Sequence, residues 1–152
     1  MGNLEKRSGE RPLTSNAGPH SQLSDQSSVQ IWSALIAECL KYPHVVKGVS
    51  SVSSKTSVAL LFDDLTQITN PASSLSPMEP LEPVHIHGQH DTSLHLCLLL
   101  SYAQEVCELG WGEVHQFADY GTEIMIYGPR NEHELEIVLG LVRESLQFAR
   151  QG

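Results

Sequence analysis

The sequence predicts an α+β domain: a small, mostly antiparallel sheet with helices packed on one face, in the order α-β-β-β-β-α-β-α. Three observations carry that prediction. Apolar residues recur at helical spacing near both ends of the domain, as in VQIWSALIAECL and ELEIVLGLVRESL. Short β-branched or alternating runs fill the middle, and brief Ser, Gly or Asp-bearing turns separate most of them.

The first helix begins after Ser27 or Ser28, a serine N-cap, and its stripe runs through Ile31, Leu35 and Cys39 before Pro43 stops it. Val45 to Val52 and Thr56 to Phe62 read as a hairpin. Residues 63–82 hold Pro71, Pro77 and Pro80 among Asn, Ser and Asp, which marks a long loop or lid. Pro83 to His87 and Ser93 to Leu98 form a second strand pair around Gly88 to Thr92. Ser101 to Gln104 has the capping-box pattern, and Gly110 ends the helix it starts. Thr122 to Tyr127 is the last strand. Asn131 caps the final helix, with Glu134 at its third position and Leu135, Val138, Leu139, Val142 and Leu146 along its stripe.

Composition narrows the function classes. Residues 1–27 contain only three leucines as large apolar groups after Met1 and are expected to be a disordered arm, leaving residues 28–152 as a single domain. Eighteen acids against nine bases give a formal charge of −9, which argues against nucleic acid or an anionic membrane as partner. No apolar run reaches the roughly 18–20 residues that span a bilayer. Neither a secretory leader nor a myristoylation signal is expected, because Lys6 stands where the latter needs Ser or Thr. Cys39, Cys97 and Cys107 lack CxxC spacing and read as buried thiols of a cytoplasmic protein. Without a phosphate loop or dinucleotide fingerprint, no cofactor is expected.

Five of the eight histidines fall between residues 85 and 115. Alternation along a strand puts His85 and His87 on one face, and Ser93 and His95 on one face of the next strand. A five-residue turn then sets His87 across from Ser93 and His85 across from His95, with the aliphatic residues turned to the core. Imidazoles gathered this way suit proton transfer, with His87 and His95 as candidate base or acid. They also suit a metal, for which His85, His87 and His115, or Glu113, are candidate ligands. A plain polar sheet surface is the third reading. Trp111, between two glycines, either walls a ligand site beside Glu113 and His115 or anchors a helix end. Arg130, just before a helix, either meets a developing negative charge or pairs with Glu132 or Glu134.

The runs HIHGQHDTSLHLCL, ELGWGEVHQFA and IMIYGPRNEHELEIVLGLVRESLQFAR together resemble the luciferase-like domain family of bacteria and fungi. The resemblance spans roughly residues 30–150, with its specific motifs between 85 and 145. Gly88 departs from it, where proline often follows the histidine. The likeness implies that His87, Ser93, His95, Trp111, Glu113, His115, Tyr127 and Arg130 occupy the family's marked positions. It also implies a role beside secondary-metabolite pathways.

The reading that follows is an accessory enzyme that isomerises, cyclises or hydrolyses a small oxygenated metabolite. In it His87, His95 and Arg130 are catalytic. His85, Ser93, Trp111, Glu113, His115 and Tyr127 bind substrate, without a metal. A pathway enzyme is a further expected partner. The rivals are a non-catalytic scaffolding module and a metal-dependent oxygenase.

Overall fold

The computed structural model describes residues 3–17, 19–63, 71–76, 82–115 and 121–151. Helix α1 spans Val29–Cys39, and the Ser28 side chain accepts from the Ile31 amide, so the N-cap is Ser28. Strands β1 (Val45–Val49) and β2 (Val58–Phe62) form the first hairpin. Strands β3 (Val84–Ile86) and β4 (Leu94–Cys97) form the second. Helix α2 covers Leu100–Glu108, β5 covers Gly112–Val114, β6 covers Glu123–Ile126, and α3 covers Glu132–Gln151. Asn131 Oδ1 accepts from the Glu134 amide at 2.9 Å, which caps α3 as its sequence requires.

The sheet is antiparallel throughout and runs β1-β2-β3-β4-β6-β5. Period-two alternation divides its central strands into two chemistries. Val84, Ile86, Leu94, Leu96, Ile124 and Ile126 join Leu35, Ala103, Val106, Val138 and Val142 from the three helices in one buried core. The opposite side of β3 and β4 carries His85 and His95, paired across the ladder as the turn length predicts.

Three expectations need correction. The strand β5 is additional, because a three-residue strand beginning at a glycine shows too little β-branched character to be read. Gly112 belongs there by close approach: a Cβ at this position would lie 2.3 Å from the Met125 carbonyl oxygen of β6. The capping box at Ser101 is not used, since the N-cap lies two residues earlier, at Leu99, which makes no side-chain cap bond. Gly110, by contrast, takes the left-handed φ of +89° that a helix-ending glycine supplies.

The third correction concerns the N-terminal segment, which lies against the domain rather than away from it. The Arg7 amide donates to the Leu109 carbonyl at 2.9 Å, and the Arg11 side chain donates to the Gly112 carbonyl at 2.7 Å. Gln22 Oε1 accepts from the Gly128 amide at 2.8 Å, and Gln26 Oε1 accepts from Thr92. These contacts are polar, so a reckoning of apolar area cannot see them. Of the expected loop, residues 64–70 and 77–81 lie outside the described residues. The described piece includes a short 3-10 turn at Pro71–Ser73, and the Leu75 amide donates to the Glu82 carbonyl at 2.7 Å.

The two sides of β4 make the packing testable. Leu96 is fully buried among the helices, so Leu96→Ala should cost about 2–5 kcal/mol in urea unfolding. Asn131→Ala should cost about 0.5–2 kcal/mol through the lost cap. A Leu96→Ala midpoint equal to wild type would remove Leu96 from the core.

Candidate functional site, a histidine-lined cavity

The β3 and β4 register brings His85 Nε2 to 3.0 Å from His95 Nδ1. Glu82, just before β3, reaches His85 Nδ1 at 2.7 Å, and is itself held by the Ser50 hydroxyl at 2.6 Å and the Ser51 amide at 3.0 Å. Beyond β3, the His87 amide bonds the Ser93 carbonyl at 3.0 Å, extending the ladder by one residue as expected. Asp91 in the turn lies 2.9 Å from His87 Nδ1 and accepts from Ser93 Oγ at 2.6 Å. His115 follows β5 with Nε2 3.4 Å from Glu123 on β6. His20 enters from the N-terminal segment and lies 2.8 Å from Glu113 on β5. His95 is the hub: ring centroids of His85, His87, His115 and His20 lie 5.0, 4.7, 4.4 and 5.6 Å from its own.

Burial sets the charge state of this group. Burial first, then the neighbouring imidazoles, holds His95 well below its usual value. The same causes bring His115 down to about 4. His85 is lowered because burial outweighs the pull of Glu82. Burial alone would raise Glu82, but the bonds from His85 and Ser50 carry it below the ordinary carboxylate value. Asp91 follows the same balance through His87 and Ser93.

The hydrogen bonds then assign the tautomers. An ionised Glu82 only accepts, so His85 carries its proton on Nδ1. His85 Nε2 must then accept from His95 Nδ1, which leaves His95 Nε2 as a lone pair. By the same logic Glu113 holds the His20 proton on Nε2 and leaves Nδ1 as a lone pair. Both of those nitrogens are buried without a hydrogen-bond partner among the described residues. Ser93 donates to Asp91 and so accepts from His87 Nδ1 at 3.0 Å, which fixes His87 with its lone pair on Nε2.

These imidazoles border a cavity of about 1070 Å³. His20, His85, His87, His95 and His115 line it, and Trp32, Val52 and Leu75 contribute apolar surface. Of the residues singled out in the sequence, the strand histidines and His115 therefore converge. Ser93 and Glu113 act one step back, through His87 and His20. Tyr127, its hydroxyl raised to about 12 chiefly by burial, donates to Glu113 at 2.9 Å. Trp111 is in the helix-side core, with Nε1 donating to the Glu5 carbonyl at 2.7 Å, and is not part of the cavity lining. Arg130 is also outside the lining and pairs with Glu134, its Nε lying 3.0 Å from Oε1.

The sequence reading missed His20, Glu82, Asp91 and Glu123. Only Asp91, inside the predicted turn, and Glu82, three residues before His85, offered a spacing signal. Two trios have metal-like proximity among the described residues, His20 with His95 and His115, and His85 with His87 and His95. The trio of His85, His87 and His115 drawn from sequence is neither of them. In the second trio both nitrogens of His85 are already engaged.

Comparison with known proteins bears on the same stretch. Residues 80–145 match the family model described as Luciferase domain. A protein named Luciferase from Armillaria gallica is 40% identical over 73 residues, 44% of this chain and 27% of that protein. The Luciferase of Armillaria mellea matches to the same extent, and that of Neonothopanus nambi is 38% identical over 73 residues, with the same coverage. The chain thus spans little more than a quarter of the length of these relatives. No solved structure matches.

Asp91 offers a check on the network. Its carboxyl is lowered in the fold from an ordinary 3.8, so its contribution is complete above about pH 4 and disappears as pH falls through the folded value. Asp91→Asn should cost about 1–3 kcal/mol at pH 7, the cost of leaving buried partners short of an acceptor. Its stability should also fall less steeply than wild type in acid. Parallel acid-unfolding curves would show that Asp91 does not hold His87.

Proposed function

We propose that this chain is an enzyme acting on a small oxygenated metabolite within the histidine-lined cavity, by proton transfer at His87. The observation that supports this most directly is the His87 ring on the cavity wall, oriented through Nδ1 by Asp91 and Ser93. A carboxylate on one ring nitrogen stabilises the imidazolium formed when the other takes a proton, so His87 Nε2 is the general base and then the returning acid. His85 and His95 remain neutral at pH 7 because burial disfavours their charge. The pocket therefore offers lone pairs and apolar surface rather than fixed positive charge. That composition suits a flat, oxygen-bearing, largely apolar molecule, and proton movement within it supports isomerisation, ring closure or hydrolysis. Arg130 has no part in this scheme.

Likeness to the fungal luciferases supports a place in a luciferase-related secondary-metabolite pathway, where this chain serves as an accessory enzyme. The test uses small-molecule extracts of Armillaria mellea, the source of one of the similar luciferases. Incubated with the full chain, the extract should lose at least one compound by liquid chromatography and mass spectrometry. His87→Ala should slow that loss by about 10²–10⁴-fold, the usual contribution of a positioned base. Undiminished loss with His87→Ala would refute the role of His87. An extract left unchanged by wild type, with no compound retained on the protein, would refute the enzymatic reading.

A further inference from the structure

We propose that His20, His95 and His115 form a binding site for one divalent first-row transition-metal ion, of the zinc class, beside the cavity. One ring nitrogen from each lies within 4.8 Å of the other two. A tetrahedral ion with metal–nitrogen bonds of about 2.0–2.1 Å spaces its ligands about 3.4 Å apart, so small ring rotations close the three onto it.

A second observation points to a ligand independently of that proximity. The His20 side chain has no exposed surface, and His95 is 4% exposed. Each nevertheless has a ring nitrogen buried without a partner, Nδ1 in His20 and Nε2 in His95. A buried acceptor left unmatched costs about 1–3 kcal/mol, and a protein rarely leaves two beside each other in one cluster. The tautomers set by the surrounding bonds make both nitrogens lone pairs, the form a metal requires.

The outer partners fit as well. Glu113 holds His20, Glu123 faces His115 at 3.4 Å, and the His85–Glu82 pair holds His95. Carboxylates behind imidazoles orient the rings and raise their basicity, the arrangement that supports metal-bound histidine. Three neutral ligands leave the full charge of the ion, and Glu113 and Glu123 one step out, with Glu82 beyond His85, offset it. Imidazole without thiolate selects zinc, iron, copper, cobalt or nickel over calcium and magnesium. Three protein ligands leave a fourth position, and all three residues line the cavity, so a water or a metabolite oxygen would occupy it. The alternative trio fails because His85 has no nitrogen to give.

This site does not depend on proton transfer at His87, and its test needs no metabolite. Full-length protein stripped with EDTA and titrated with zinc chloride in a calorimeter should bind one equivalent, with a rise in Tm. His20→Ala, His95→Ala and His115→Ala should each weaken binding at least 100-fold, while His133→Ala, an exposed residue paired with Glu5, should leave it unchanged. Glu113→Gln, which keeps every ligand and guards against a misfolded alanine variant, should weaken zinc by about 10–100-fold. Cobalt substituted for zinc should give the visible absorption of a four- or five-coordinate nitrogen site, and azide should shift it. Failure to bind stoichiometric zinc overturns the proposal. So does binding that survives in His20→Ala and Glu113→Gln, because it would then reside on exposed histidines. Loss of turnover in His87→Ala with zinc binding intact would separate the two sites of action.

Discussion

A buried imidazole must be hydrogen-bonded, and that requirement shapes the half of this molecule that the helices do not cover. The pleat of β3 and β4 turns aliphatic residues to one side and histidines to the other. His85 and His95 are nonetheless almost as inaccessible as the leucines between them. A polar layer enclosed in this way is stable only if its donors and acceptors are matched. Glu82 and Asp91 match the strand histidines from loop positions, and Glu113 and Glu123 match His20 and His115 from β5 and β6. Each carboxylate also decides which nitrogen keeps a proton. Packing and chemistry are therefore set by the same bonds.

Covering that layer explains the N-terminal segment. It brings only scattered apolar groups, and its attachment is by side chains of Arg11, Gln22 and Gln26 to backbone groups of the domain. Gly128 shows how close the approach is, since a Cβ there would lie 2.8 Å from the Ser27 hydroxyl oxygen. An ordered strap built from polar bonds contributes less net stability per contact than a greasy one. Its geometry, however, delivers His20 into the ring of strand histidines.

The sequence made the helix side legible because periodicity is a property of single segments. Leu35, Val138 and Val142 announce their burial by spacing alone, and the His85–His95 pairing follows from one turn length. The strap and the carboxylates were not legible for the opposite reason. Gln22 bonding Gly128, or His20 meeting Glu113, joins residues about a hundred positions apart, and no local pattern encodes such a meeting. Arg130 shows the converse error. A cation before a helix N-terminus looks like an anion site, but Glu134 in the first turn takes it, and the pair serves the helix start.

The segment that matches the Luciferase domain model begins at residue 80, after the strap, α1 and the first hairpin. It contains His85, His87, His95 and His115 with Glu82, Asp91 and Glu123, and so it carries the floor of the cavity. The walls come from elsewhere: Pro19, His20, Trp32 and the turn from Val52 to Thr56 all precede it. Floor and walls do different physical work. The floor fixes proton positions and lone pairs, which determine what chemistry is accessible. The walls fix volume and apolar surface, which determine what molecule is admitted. The match to the family model at residues 80–145 therefore covers the floor and leaves most of the walls outside it. His20 is the exception that joins the two, a wall residue whose lone pair belongs to the floor.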